Sequence, residues 1–211
     1  MNRDITILYQ GGSGGFALFY YLLLSNKYHT GLPTRDWQSL IDIQFNTELK
    51  QWPAHWKHKE FWPDNQTCKK SAGGLKLYLI CNPLWNQDML QQNMQISEHT
   101  YKILLYTDFR VQLRMCWHKR AYWFTDVSKK HFAAPCNERQ WIRQIIASQQ
   151  QGLDPQIPHI RTVFKPDQLL NLRDFVISHS VPGLDPPNQN QRQFLHRWLD
   201  LQPSKVQRWF R

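Results

Sequence analysis

Apolar residues fall into short blocks separated by polar, glycine-bearing and proline-bearing stretches. Ile5, Ile7, Leu8 and Tyr9 form the first block, Gly11, Gly12, Ser13, Gly14 and Gly15 interrupt it, and an unbroken apolar and aromatic run extends from Phe16 to Leu24. A short apolar run bounded by turn residues predicts a buried strand, and the longer run behind it predicts a buried helix. The first strand and helix therefore occupy residues from about Asp4 to Ser25. Leu75 to Cys81 (LKLYLIC) and Tyr101 to Thr107 (YKILLYT) predict two further buried strands. The turns that end them are Asn82-Pro83 and Thr107-Asp108.

Helical patterns fill the intervals. Trp37 to Phe45, the start of Asn86 to Gln95, Phe109 to Phe124 behind an N-cap-like Asp108, and Glu138 to Gln151 all fit. Gly152 to Pro158 reads as a turn, Val163-Phe164 as a last short strand, and Pro166 to Ser178 as a helix capped by Asp167. A proline-rich loop from Val181 to Asn190 precedes an amphipathic helix over Gln191 to Leu201, with Phe194, Trp198 and Leu201 on one face. Strands that end in functional-looking turns, separated by helices, predict a three-layer α/β fold with a small parallel sheet. The 211 residues suit one such domain over 1–211, with 152–211 a mostly helical C-terminal part.

The net charge of +10 points to anionic partners: nucleotides, nucleic acid, or an acidic protein surface. Ten tryptophans call for core, cleft or interface positions. Cys68, Cys81, Cys116 and Cys136 form no C-x-x-C pair, the N-terminus enters a strand directly, and no apolar run reaches the ~20 residues of a membrane span. A cytoplasmic protein with free thiols is expected. Oligomeric state is not legible.

The glycine turn carries the main chemical signal. Glycines between a strand and a helix let backbone amides approach a ligand, and the helix N-terminus behind them favours an anion. Gly12-Ser13-Gly14 begins a dinucleotide-type pattern whose third position is Ala17, and no lysine or arginine lies between Arg3 and Lys27. Asp36 and Asp42 are the nearest acidic residues for a ribose. The turn thus reads either as a phosphate cradle or as a tight architectural corner. The second signal is Thr107 to Arg114, a strand end that leads into a helix with Arg110 and Arg114 four residues apart on one face. Arginine suits phosphate and sulfate oxygens. Ligands in open α/β sheets lie outside the carboxyl ends of the strands, which would bring both signals to one rim.

Together these segments resemble the sulfotransferase family of P-loop folds. The resemblance covers two short segments and the general topology. It implies that Gln10, Gly11, Gly12, Ser13, Gly14, Gly15 and Phe16 hold the 5′-phosphosulfate of PAPS (3′-phosphoadenosine 5′-phosphosulfate), and that Thr107, Asp108, Arg110 and Arg114 help hold the 3′-phosphate. Sulfuryl transfer from PAPS to a hydroxyl or amine acceptor, leaving PAP, is the implied activity. The family's loop cation is replaced here by Gln10 and Ser13, its leading arginine by Thr107, its proline by Phe109, and its later serine by Met115. Lys57, Lys59 or Lys76 would have to supply the missing charge, and His58, His55 or Glu48 the base for the acceptor proton. No metal is required.

His55 and His58, with Cys68 nearest, match no zinc spacing. Cys116 and His118 diverge on a helix and cannot act as a nucleophile–base pair. The absent loop lysine counts against a nucleotide kinase. The segment Arg110 to Phe124 offers the competing reading. Lys119, Arg120, Tyr122 and Trp123 could contact phosphates and stack bases, making the chain a non-catalytic basic protein that binds nucleic acid or an acidic partner.

Overall fold

All five residues of β1 (Ile5–Tyr9) are buried. A strand covered on both faces needs a hydrogen-bonding neighbour on each side, and β1 has them: β3 (Leu75–Cys81) and β4 (Tyr101–Tyr106), both parallel to it. β2 (Tyr28–His29) adds to β3, and β5 (Gln168–Asn171) adds to β4. The resulting order is β2-β3-β1-β4-β5. This computed structural model describes residues 3–25, 27–29, 75–84, 87–123, 137–149 and 156–211.

The helices are α1 (Gly15–Leu23), α2 (Gln87–Ser97), α3 (Phe109–Trp123), α4 (Glu138–Gln149), α5 (Gln156–Phe164), α6 (Leu172–Ser178), α7 (Gln189–Asp200) and α8 (Ser204–Phe210). They cover both faces of the sheet. Ile5, Ile7 and Tyr9 pack with α1 and with Phe175, Phe194, Trp198, Val206 and Phe210 of the C-terminal helices. Leu8, Ile80 and Leu104 face the other way and pack with Ile160 and Phe164 of α5 and with Leu90 and Ile96 of α2. This is the expected three-layer α/β arrangement with a parallel sheet. Buried residues cover every side of α1, matching its unbroken apolar run. Asp4 fixes the amino end of β1: its carboxylate accepts from the Lys76 amide and its carbonyl from the Tyr101 amide.

The C-terminal third departs from expectation in three places. Val163-Phe164 ends helix α5 and is not a strand. Gln156, Ile157 and Pro158 open that same helix instead of lying in a turn; Pro158 is tolerated in a first turn, where amides have no partner inside the helix. The Pro166–Ser178 helix is split into β5 and α6, with Asn171 rather than Asp167 as the cap, accepting from the Arg173 amide. Asp167 instead accepts from the Lys102 amide of β4, which pins the start of β5. β5 is a short edge strand with Leu170 inside and Leu169 partly exposed, so its apolar residues merged in sequence with those of α6. The two-residue β2 was not anticipated, and the expected helix at Trp37 to Phe45 lies outside the described residues.

Candidate functional site

At the carboxyl end of β1 the chain turns through Gly12 and Gly14, both left-handed with φ of 82° and 84°. Only glycine adopts that conformation without strain. Ser13 stitches the turn, donating from both its amide and its hydroxyl to the Gln10 carbonyl at 3.0 and 2.7 Å. Gly14 then caps α1. Strand order reverses about β1, since β3 and β2 lie on one side and β4 and β5 on the other. The turn therefore sits at the crevice where open α/β sheets receive ligands.

Neighbouring elements hold the turn closely. Asn82, itself left-handed with φ of 49°, accepts from the Gly11 amide at 3.1 Å, and its own amide donates to the Tyr9 carbonyl. Gln112 of α3 donates to the Gly11 carbonyl at 2.7 Å, with the Cys116 thiol beside it at 3.6 Å. A methyl group at Gly12 would collide with Cys116 and with the Gln112 carbonyl, one at Gly14 with Leu172, and one at Gly15 with the Tyr9 ring. Of these four glycines, only Gly11 has open space where a Cβ would stand. The amides of Gly12 and Gly14 have no hydrogen-bond partner among the described residues.

The register levels the rim. Tyr9 pairs with Leu105, so Gly11 stands level with Thr107; Tyr106 pairs with Asn171, so Thr107 stands level with Leu172. By strand alternation Thr107 shares the α1 face with Leu105, Leu170 and Leu172, and Leu172 is the side chain against Gly14. Thr107 is 7% exposed and its hydroxyl has no partner among the described residues. A buried hydroxyl without a partner is costly, which sets Thr107 apart from the other buried polar groups of the rim.

The remaining expected residues divide. Asp108 is a cap: its carboxylate accepts from the amides of Arg110 and Val111 at 2.9 and 3.1 Å. Arg110 is exposed at the start of α3. Arg114 approaches Glu138 of α4 at 3.9 Å, and Glu138 also accepts from Lys205 of α8. On a helix Gln112 lies about 200° from both Arg110 and Arg114. The glutamine faces the turn and the arginines face away from it. Lys76 lies at the amino end of the sheet, next to Asp4 and remote from the turn, so it cannot supply the missing cation. Glu48, His55, Lys57, His58, Lys59 and Cys68 lie outside the described residues.

Sequence patterns gave no sign of Tyr9, Gln112 or Leu172 at this rim. Burial pushes the Tyr9 phenol well above its ordinary range, and the hydrogen-bonded Cys81 thiol adds to the effect. Tyr9 is therefore a neutral donor and not a base. At the opposite end of α1 a cavity of about 100 Å³ is lined by Tyr21, Ser25, Lys27, Val181, Asp185 and Gln191, with Lys27 and Asp185 ion-paired. It is smaller than the ~300–1,000 Å³ of typical ligand pockets. Among the described residues there is no cluster of three metal-ligating side chains, and no helix is long and apolar enough to cross a membrane. No family model, curated protein or solved structure matches this chain.

Proposed function

We propose that this chain binds a phosphorylated nucleotide at the carboxyl rim of β1 and acts as a PAPS-dependent sulfotransferase-like protein on a hydroxyl or amine acceptor. The observation that carries the reading is the left-handed glycine turn at the strand-order reversal. Along the same rim, the amides of Gly12 and Gly14 and the buried Thr107 hydroxyl are all without a hydrogen-bond partner among the described residues. These donors fit an oxyanion. When bound, PAPS would supply the activated sulfuryl group, and the rim's task is to fix the donor and neutralise charge at the phosphate. Calorimetry with 3′,5′-adenosine bisphosphate at moderate salt, with ATP and AMP as controls, tests the reading. One-to-one binding selective for the bisphosphate and weakened by Thr107→Val is expected. Absence of binding to every nucleotide would return the turn to pure architecture.

A second reading is favoured by the exposed Arg110, which no acidic side chain neutralises among the described residues, and by the charge of +10. The chain would then hold a polyanion on the outer face of α3. Binding of a single-stranded oligonucleotide that falls steeply with salt and is untouched by Thr107→Val would support it.

A further inference from the structure

We infer that α3, α4 and α8 together form one arginine-rich surface that binds the phosphodiester backbone of nucleic acid. The inference rests on the polyanion reading above and widens its site from one helix to three. The three helices meet at Glu138. Its carboxylate lies 3.9 Å from Arg114 of α3 and accepts from Lys205 of α8 at 3.1 Å. The Trp117 and Trp141 rings, with centres 5.6 Å apart, hold α3 against α4. Each helix adds further cations beside that junction. Arg110 stands one turn before Arg114, Arg208 one turn after Lys205, and Arg139 follows Glu138 directly, with Arg143 one turn beyond. Arg110, Arg139, Arg143, Lys205 and Arg208 are all exposed. Arg110, Arg139 and Arg143 have no acidic partner among the described residues. Glu138 is the sole acidic residue in the sequence of these helices, and Asp108 ahead of α3 is occupied by the amides of Arg110 and Val111.

The make-up of the surface selects the partner. All of these cations except Lys205 are arginines, whose planar fork pairs with two phosphate oxygens. A protein partner is held mainly by apolar and aromatic anchors. Among the described residues the large exposed apolar side chains are Met94, Leu169 and Ile177, and none lies on these helices. Repeated like charge without such anchors fits a chain that carries one charge per nucleotide. Glu138 then acts as a brake, because it holds Arg114 and Lys205 away from the phosphates.

The test is fluorescence anisotropy of a labelled single-stranded oligonucleotide titrated with the full chain over a range of salt. Wild type is compared with Arg110→Ala, Arg139→Ala, Arg143→Ala, Glu138→Gln and Arg161→Ala. Arg161 lies on α5, across the sheet, and removes one charge away from the surface. Each of the first three variants is expected to weaken binding about threefold or more and to lower the slope of log affinity against log salt by about 0.7. Glu138→Gln is expected to tighten binding about threefold or more, and Arg161→Ala to change it by less than about twofold. Thermal unfolding separates lost binding from lost folding. If an arginine variant is unfolded, Glu138→Gln decides, since a gain in affinity cannot come from damage to the fold. Wild-type affinity in folded Arg139→Ala, Arg143→Ala and Glu138→Gln, with loss only in Arg110→Ala, would overturn the three-helix surface and leave the polyanion reading standing. Equal weakening by Arg161→Ala would also overturn it. Displacement of the oligonucleotide by poly-glutamate at equal charge concentration would overturn the choice of a phosphodiester partner. No oligonucleotide binding by wild type would overturn both the inference and the reading beneath it.

Discussion

Replacing Gly12 with alanine adds one methyl group at the most crowded point of the glycine turn. Two independent costs follow. The backbone there has φ of 82°, a left-handed conformation that costs a non-glycine residue about 1–2 kcal/mol. The methyl also stands 2.8 Å from the Gln112 carbonyl and in collision with the Cys116 sulfur, an overpacking that costs about 1–3 kcal/mol. The sum is about 2–5 kcal/mol, a large part of the roughly 5–15 kcal/mol that holds a domain together. Gly11→Ala is the matched control. It lies one residue away, has no positive φ, and meets nothing within 4 Å. Its change should stay within about 0.5 kcal/mol. Urea unfolding followed by tryptophan fluorescence measures both. The double variant Gly12→Ala/Cys116→Ala should recover part of the packing cost but none of the backbone cost. Equal losses for Gly11→Ala and Gly12→Ala would refute the reasoning, because the two positions would then be equivalent.

Other predictions use the same logic elsewhere in the fold. Trp198 is fully buried, with its ring 5.8 Å from that of Phe210, and its indole N–H has no partner among the described residues. Trp198→Ala should cost about 3–5 kcal/mol, and Trp198→Phe distinctly less, by calorimetric melting. Asp108→Ala removes the acceptor for two amides of α3 and should cost about 0.5–2 kcal/mol; Asp108→Asn should recover most of it in the same melting assay. His179 is held below the ordinary histidine range, first by burial, then by His196 and Arg192. The unfolded chain therefore takes up the proton first. The stability linked to this group is complete above the ordinary value near pH 6.5 and falls as pH drops toward the lowered folded value. His196→Asn should shrink that acid loss, measured as the difference in melting temperature between about pH 7.5 and about pH 5.5.

The parts of the fold written in contiguous stretches were the parts legible in sequence. β1, the glycine turn and α1 each occupy one uninterrupted block of a single character, so run length and breakers sufficed. β5 did not, because an edge strand four residues long carries only one buried leucine and abuts a helix of like composition. The rim was half legible. Asp108 was expected to touch a ligand by resemblance, yet its geometry is that of the helix cap its sequence context also predicts. Leu172 could not be found from its neighbours in sequence. Its relation to Gly14 exists only through the β4–β5 register, and a register between strands some 65 residues apart leaves no local pattern.

The burial of α1 on every side has a consequence for how the chain reaches its native state. Its sheet-facing side is covered by residues early in the chain, but Gln191 donates to the Tyr21 carbonyl, Asn188 to the Leu24 carbonyl, and Phe194 packs on Tyr20. Those partners lie about 170 positions downstream. During synthesis these contacts of a nine-residue apolar helix cannot form until residues 188–194 have been made. Such long-range closure slows folding and exposes a sticky surface in the meantime. The nascent protein should therefore depend on a holding chaperone, and ribosome-stalled chains ending before residue 189 should be protease-sensitive throughout.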